Sequence, residues 1–414
     1  MPSEIQRCRI CKSETLTPIL DLGQQYLTGV FPHSTSEKVT RGPLELVKCG
    51  GTNACGLVQL RHSYDSNEMY GANYGYRSGL NRSMVEHLKS KVSKLLQSVS
   101  LSAGDVVLDI GSNDGTLLSF YPEHLSRVGM DPTAAKFREF YKPGINVIAD
   151  FFSAATFRAQ THGAKPKIIT SIAMFYDLEE PIRFVEQIAE TLADDGIWHF
   201  EQSYMPAMLE QNAYDTVCHE HLEYYALRQI EWMLDRCGLK ILNVELNDTN
   251  GGSFALTVSK IDAPYEPDIA SIERMRKAEM DAKLDTLEPY VRFKERVFKH
   301  RDQLLALLGK LRGQNAKVLG YGASTKGNVI LQFCNLTPAE IPAMTEVNPD
   351  KFGAFTPGTN IPIISEAEAH AQNPDYFLVM PWHFRVNLLE READYLKNGG
   401  KMIFPLPEIE IVGA

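Results

Sequence analysis

Short runs of aliphatic and β-branched residues alternate along the middle of the chain with stretches whose apolar positions recur at three- and four-residue spacing. The first kind predicts buried strands and the second amphipathic helices. Residues 57–60 read as a strand, and 80–98 as a helix with Met84, Leu88, Val92, Leu95 and Leu96 near one face. Val106, Val107 and Leu108 form the next strand, closed by Asp109, and Thr116, Leu117 and Leu118 are expected to open a helix after it. Further strands are predicted at 127–130, 145–149, 167–173 and from Trp198 to Glu201. A helix carrying Ile182, Val185, Ile188 and Leu192 precedes the last of these. A tight turn at Asn250-Gly251-Gly252-Ser253 leads into one more strand from Phe254, after which residues 268–313 read as long helices of mixed charge. A second strand-and-helix unit begins at Lys317, with strands near 343–346 and 376–380. Alternation of this kind predicts an α/β fold, parallel sheets with helices on both faces. The expected boundaries are 1–68, 69–262, 263–313 and 314–414.

A chain of 414 residues has room for two or three cores, and no apolar run approaches a membrane span. The first residues lack a basic stretch followed by an apolar one, so no secretory signal is expected and a reducing cytoplasm is the expected compartment. A net charge of −10 argues against coating nucleic acid, which needs a basic face. It leaves room for a local basic pocket. Four of the seven cysteines fall in the first 55 residues, as a C-x2-C pair (Cys8, Cys11) and a C-x5-C pair (Cys49, Cys55). Two close pairs of soft ligands predict a structural zinc that staples a segment too small to fold alone, with free buried thiols as the other reading. Four thiolates leave no open position for catalysis by the metal.

Loop chemistry separates the two α/β units. The first reads Asp109-x-Gly111-x-Asn113-Asp114-Gly115. Its glycines let the backbone approach a ligand, and its acids would repel a pyrophosphate but suit an ammonium and a sulfonium. An ordinary strand-to-helix turn is the plainer alternative. Asp131, ending the second strand, stands where a ribose diol would be bound, and Asp150-Phe151 after the third could face an adenine. Together these residues resemble the class I S-adenosylmethionine-dependent methyltransferases. The second loop, Gly320-Tyr321-Gly322-Ala323-Ser324-Thr325-Lys326, has hydroxyls and a lysine but no acid, which suits a phosphate. A later loop carries Trp382, His383 and Arg385. Between the two units lies Cys218-His219-Glu220-His221. In an extended segment His219 and His221 would share a side, where a neutral imidazole can act as general base. Metal binding would lack a third ligand, and a polar turn at a domain edge is the structural alternative. The segment 69–78 places three tyrosines among glycines, able to present phenols to a cleft or to pack on the surface.

In this order, a four-cysteine module, a methyltransferase core and a nucleotide-binding-like unit resemble the sugar C-methyltransferases acting on nucleotide-diphosphate 4-keto-6-deoxy sugars. The marks are the cysteine set, Tyr74-x-Tyr76-x-Ser78, Asp109 to Gly115, Glu220-His221, Asn250-Gly251-Gly252 and Gly320-Tyr321-Gly322-Ala323. The resemblance spans almost the whole chain. It implies a zinc-binding module (1–68), a class I methyltransferase Rossmann-like domain (69–262), a helical connector (263–313) and a Rossmann-like nucleotide-sugar domain (314–414). It also implies S-adenosyl-L-methionine and structural zinc as cofactors, and methylation of a carbon next to the ketone, C3 rather than C5. His221 would be the base, with Glu220 on the sugar or the imidazole, and Tyr74 and Tyr76 would line the sugar pocket or assist the enolate. Gly322, Ser324 and Lys326 would face the diphosphate and Glu346 the nucleotide ribose, with Asn250, Gly251, Tyr321, Trp382, His383 and Arg385 as further substrate contacts. A monomer or small homo-oligomer is expected, without nucleic acid or membrane as partner. The chain departs from the family in its C-x5-C pair, in Cys218-His219 where a Tyr-Asp pair is usual, and in Asp177 where a histidine often sits. His219 is expected to supply some of what those changes remove. The competing expectation is a diverged member that binds both ligands but does other chemistry, or only binds; a zinc-bearing RNA methyltransferase is disfavoured by the acidic balance.

Overall fold

The computed structural model describes residues 2–70, 74 and 76–413. Seven strands form the central sheet: Val106–Ile110, Ser126–Met130, Ile145–Ile148, Pro166–Ile172, Ile197–Ser203, Leu239–Asn247 and Ser253–Lys260. Across the sheet their order is third, second, first, fourth, fifth, seventh, sixth. The first five run parallel, and Ser253–Lys260 is antiparallel to both of its neighbours. Strand order reverses between the first and the fourth, which opens a crevice at their carboxyl ends. All of Val106–Ile110 is buried, so the strand reads as a continuous apolar run broken only by Asp109.

One face of this sheet is covered by the helix Arg82–Ser98, whose Met84, Leu88, Val92 and Leu95 join Val107, Ile168, Ile197 and Leu242 in one cluster. On the other face Leu108, Ile110, Trp198 and Phe200 share a core with Phe184, Val185 and Ile188 of the helix Pro181–Thr191. The helix expected from Thr116 is reduced to a single 3-10 turn, Leu118–Phe120. Pro122 is the reason: it has no N–H to donate and drives Tyr121 to extended angles, φ −73° and ψ 144°.

The C-terminal unit repeats the plan with six strands, Val318–Tyr321, Met344–Glu346, Ile363–Ser365, Tyr376–Val379, Lys401–Phe404 and Glu410–Val412. Their order is third, second, first, fourth, fifth, sixth, parallel except for the last. The connector consists of Ile269–Asp281 and Glu288–Gly313; the longer helix buries Tyr290, Phe293, Val297, Leu304 and Leu308 along one stripe. Among the described residues no helix is long and apolar enough to cross a membrane.

The N-terminal module has an antiparallel sheet of Leu16–Tyr26, Arg41–Cys49 and Val58–Leu60. Its fourth strand is Glu223–Tyr224, which returns from the middle of the chain to pair with Val58–Leu60. The expected boundary near residue 68 is thus crossed by the segment that follows His221. The segment just past His221 is held in place by the module's sheet.

Candidate active site

The four sulfurs of Cys8, Cys11, Cys49 and Cys55 all lie within 4.8 Å of one another. Cys8 and Cys55 are 3.5 Å apart and Cys11 and Cys49 3.3 Å, too far for disulfides. A tetrahedral zinc with Zn–S near 2.3 Å sets its sulfurs about 3.8 Å apart, so the cage has the right size. Hydrogen bonds from Cys49, then Cys55 and Cys8, hold the Cys11 thiol far below its usual range, while the bond to Cys11 pushes Cys49 and Cys55 up. Sulfurs this crowded share few negative charges without a cation; the donor set fits Zn2+.

The crevice of the central sheet is floored by the loop after Val106–Ile110. Gly111 and Gly115 both have φ +74°. A Cβ at Gly111 would lie 3.0 Å from Met174, and one at Gly115 only 2.6 Å from the Tyr141 ring. Behind the loop the Asp109 carboxylate accepts the Thr170 hydroxyl at 2.6 Å, and burial pushes its pKa up to about 7. Asn113 (φ +52°) donates its N–H to Asp131 at 2.9 Å, and its side chain bonds the Ser78 N–H and the Tyr76 carbonyl. Asp114 accepts the Gly79 N–H at 2.9 Å and lies 3.7 Å from Arg77. The other oxygen of Asp131 caps the turn at Thr133. Several acids expected to face a cofactor therefore also brace the loop. Asp150 and Phe151 stay exposed at the end of the third strand. A glycine cradle with an exposed acid and ring beside it fits an adenosine-bearing ligand.

Gly115→Ala tests that cradle. A left-handed alanine costs about 1–2 kcal/mol before the clash with Tyr141 is counted. Calorimetry with S-adenosylhomocysteine is expected to show affinity reduced by about tenfold or more.

Residues 218–221 form a turn, closed by the His221 N–H to the Cys218 carbonyl at 3.1 Å, and not the extended segment expected. Its side chains consequently diverge. His219 points into the N-terminal module, fully buried, with its ring edge-on to Tyr64 at 4.6 Å and the Gln25 backbone beside it; among the described residues neither nitrogen completes a hydrogen bond. Burial lowers its pKa to about 3, so it is neutral, and it does not share a site with His221. Glu220 meets the module too: its carboxylate accepts the Thr28 hydroxyl at 3.3 Å, and a Cβ at Gly29 would fall 2.1 Å from Oε1. Burial raises its pKa.

His221 donates Nδ1–H to the Thr216 carbonyl at 3.0 Å, because a carbonyl only accepts. That fixes the tautomer and leaves the Nε2 lone pair as the basic atom. Burial lowers its pKa to about 3, and the Lys326 charge adds to the fall. Tyr176 lies against it with ring centroids 4.2 Å apart. Of the tyrosine segment, Tyr74 is half-buried with its ring 5.7 Å from Tyr70, and Tyr76 is 49% exposed. Gly71, Ala72, Asn73 and Gly75 lie outside the described residues.

The second loop meets the same turn. Lys326 donates to the Asn250 carbonyl at 2.9 Å, and its charge acts on His221, Asp215, Cys218 and His383. Trp382 donates its indole N–H to Asp215 at 2.8 Å, and a Cβ at Gly251 would sit 3.4 Å from that indole. His383 is buried at Nδ1 and has no partner there among the described residues. Ser324 caps the helix Thr325–Phe333 through the Gly327 N–H. Gly322 (φ +84°) passes 2.7 Å from Pro381, measured from a built Cβ. Glu346 accepts the Ala323 N–H at 3.1 Å, the same service Asp131 performs for Asn113 in the first loop. Two expected contacts are turned elsewhere. The Tyr321 hydroxyl lies between Glu366 and Glu392, because alternation along its strand aims it at the far face. Arg385 pairs with Glu410 at 2.6 Å.

Thr28, Gly29 and Asp215 were not singled out for a role by sequence. Thr28 and Gly29 sit in no motif, and only the fold brings them to Glu220.

Three domain models match the chain in succession. They are described as "Putative zinc binding domain" over residues 8–70, "Methyltransferase domain" over 83–244 and "C-methyltransferase C-terminal domain" over 248–407. With the glycine cradle and the four-cysteine cage, they define the class: this chain is an S-adenosylmethionine-dependent C-methyltransferase, with zinc as a second cofactor. A relative of known name, C-methyltransferase NovU of Streptomyces niveus, is 28% identical over 417 residues, covering 99% of this chain and 97% of its own. Among solved structures, the plantazolicin methyltransferase BpumL with S-adenosylhomocysteine is 13% identical over 42% of this chain and 83% of its own, TM-score 0.33. LepI with S-adenosylmethionine is 14% identical over 44% and 53%, TM-score 0.33. Scores this low add nothing to the assignment.

Proposed function

We propose that the enzyme methylates a nucleotide-diphosphate 4-keto-6-deoxy sugar at a carbon next to the ketone, C3 rather than C5, with His221 as the base. One observation carries this reading: the Nδ1–H bond to Thr216 leaves Nε2 of a neutral imidazole free, between a cofactor loop and a second, acid-free glycine loop. Bound S-adenosylmethionine supplies an electrophilic methyl group. Gly111 and Gly115 give the loop that would receive it its close packing against Met174 and Tyr141, Asp131 and Asp150 offer acceptors for its ribose, and Phe151 a face for its base. The Gly322–Lys326 loop receives the nucleotide end of the sugar, and Nε2 of His221 takes the α-proton made acidic by the ketone. The full-length likeness to C-methyltransferase NovU supports transfer to carbon. The companion reading, a diverged member with another acceptor, draws on Asp177 and Cys218, where the family usually has other residues.

Lys326 tunes the base. A cation near the imidazole disfavours its protonated form, so Lys326→Met raises the His221 pKa, and activity needs the neutral ring. The acid limb of kcat/KM is therefore expected to move to higher pH in Lys326→Met and to stay in place in Lys326→Arg. An unmoved limb in the methionine variant would separate Lys326 from the base. The direct test of the reading is methyl transfer to a panel of nucleotide 4-keto-6-deoxy sugars, followed by mass spectrometry.

A further inference from the structure

A base held so far below neutrality gives little driving force, which leaves most of the work to whatever holds the enolate oxygen. Asp177 ends the 3-10 turn Phe175–Asp177, directly after the fourth strand of the central sheet. That turn touches both halves of the site. On one side Met174 is the group a Cβ at Gly111 would strike, so the turn abuts the cofactor loop. On the other, Tyr176 packs on the His221 ring and its carbonyl accepts the Leu222 N–H at 2.8 Å.

Oδ1 of Asp177 is sealed from solvent and, among the described residues, completes no hydrogen bond; the Tyr70 hydroxyl that faces this carboxylate completes none either. An ionised carboxylate left so is costly unless paired. Among the described residues no cation compensates. Burial pushes the Asp177 pKa well up; the facing Tyr70 hydroxyl offsets part of the rise and the Glu220 charge adds to it. Tyr74, Tyr176 and Cys218 also face it, with Glu223 and Tyr224 behind. None of these carries a positive charge in any protonation state, so the Tyr70 hydroxyl is the one neighbour here that favours the ionised form, against burial and the acids around it.

We propose that Asp177 is a catalytic residue, a neutral carboxylic acid whose O–H donates a hydrogen bond to the ketone oxygen as it becomes the enolate. The proposal rests on the sugar reading above. Nε2 of His221 takes the α-proton, the C–H pair becomes the C=C bond, and the carbonyl π pair moves onto the oxygen held by Asp177. When the carbon forms its bond to the methyl group, the C–S pair leaves with sulfur and the carbonyl re-forms. Asp177 keeps its proton throughout, and the imidazolium returns its own to solvent. A buried acid kept neutral to hold an enolate is an established solution at carbon-acid sites.

The test follows hydrogen–deuterium exchange at the carbon next to the ketone of a thymidine-diphosphate 4-keto-6-deoxyhexose, in D2O with S-adenosylhomocysteine in the cofactor site. Asp177→Ala is expected to slow exchange by about 10²–10³-fold, the usual loss for one oxyanion donor. Asp177→Asn, which still donates but does not titrate, is expected to exchange much faster than the alanine variant and to lose the alkaline limb expected of wild type. That limb has the right sign: the acid works below its raised pKa and fails above it. Exchange in Asp177→Ala close to the wild-type rate, or an unchanged alkaline limb in Asp177→Asn, overturns the role. If Asp177→Ala no longer binds S-adenosylhomocysteine, the asparagine variant decides. Wild-type protein showing neither exchange nor transfer across the sugar panel defeats the sugar reading itself, and the Asp177 role falls with it.

Discussion

Replacing His221 by alanine is expected to lower methyl transfer by about 10²–10⁴-fold, the span that general acid–base catalysis covers. S-adenosylhomocysteine affinity is expected to hold, because the cofactor loop is braced by Asp131, Thr170 and Tyr141, none of which bonds the imidazole. His221→Asn separates basicity from shape, since an amide can still donate to the Thr216 carbonyl but offers no basic nitrogen. Both variants failing with cofactor binding intact places the defect at Nε2. Turnover retained in either removes His221 from the role of base. His219→Ala, by contrast, is expected to show up in stability and to leave the pH profile unmoved, because His219 packs on Tyr64 behind the turn.

Zinc removal is the second large effect. The cage joins two ends of the module: Cys8 and Cys11 near the start, Cys49 at the end of a strand and Cys55 in the loop beyond it. Residues 26–32 of the same module reach both other units. Asn328 donates to the Thr28 carbonyl at 2.7 Å, Phe355 N–H to the Pro32 carbonyl at 2.8 Å, and Glu220 takes the Thr28 hydroxyl. Glu223–Tyr224, just past His221, pairs with the module's sheet. Structural zinc contributes about 10–16 kcal/mol in isolated fingers, and a small module without it has little core to fall back on. Cys11→Ser, or prolonged chelation, is thus expected to lower the melting temperature and to abolish transfer, with S-adenosylhomocysteine affinity changing least. Elemental analysis should track about one zinc per chain in the active protein. Full activity in metal-free protein would sever the cage from the catalytic turn.

Legibility followed locality. Both glycine loops, the acids ending their second strands and the CxxC pair are short patterns whose geometry is set by neighbours in sequence, and each was readable. The helix expected at Thr116 failed because one proline, Pro122, outweighs the apolar run before it. The divergence of His219 and His221 was hidden because period-2 reasoning assumes a strand, whereas a single bond from the His221 N–H makes a turn. Contacts between units were out of reach altogether. Nothing in Thr28-Gly29 says that Glu220 lies against it, nor in Lys326 that its ammonium meets the Asn250 carbonyl rather than open solvent. Tyr321 is the opposite case: its partners Glu366 and Glu392 lie in its own unit, and strand alternation alone puts it on the side opposite the loop.

The central claim is transfer of a methyl group to carbon on a keto sugar by this chain. The most direct measurement incubates the zinc-loaded protein with S-adenosylmethionine carrying a trideuterated methyl group and freshly prepared nucleotide-diphosphate 4-keto-6-deoxyhexoses. Products are then read by mass spectrometry and NMR. A product heavier by one labelled methyl, bonded to the carbon next to the ketone and formed by wild type but not by His221→Ala, is the predicted result. Tight cofactor binding with no labelled sugar across the panel, or a label found on oxygen, would contradict it.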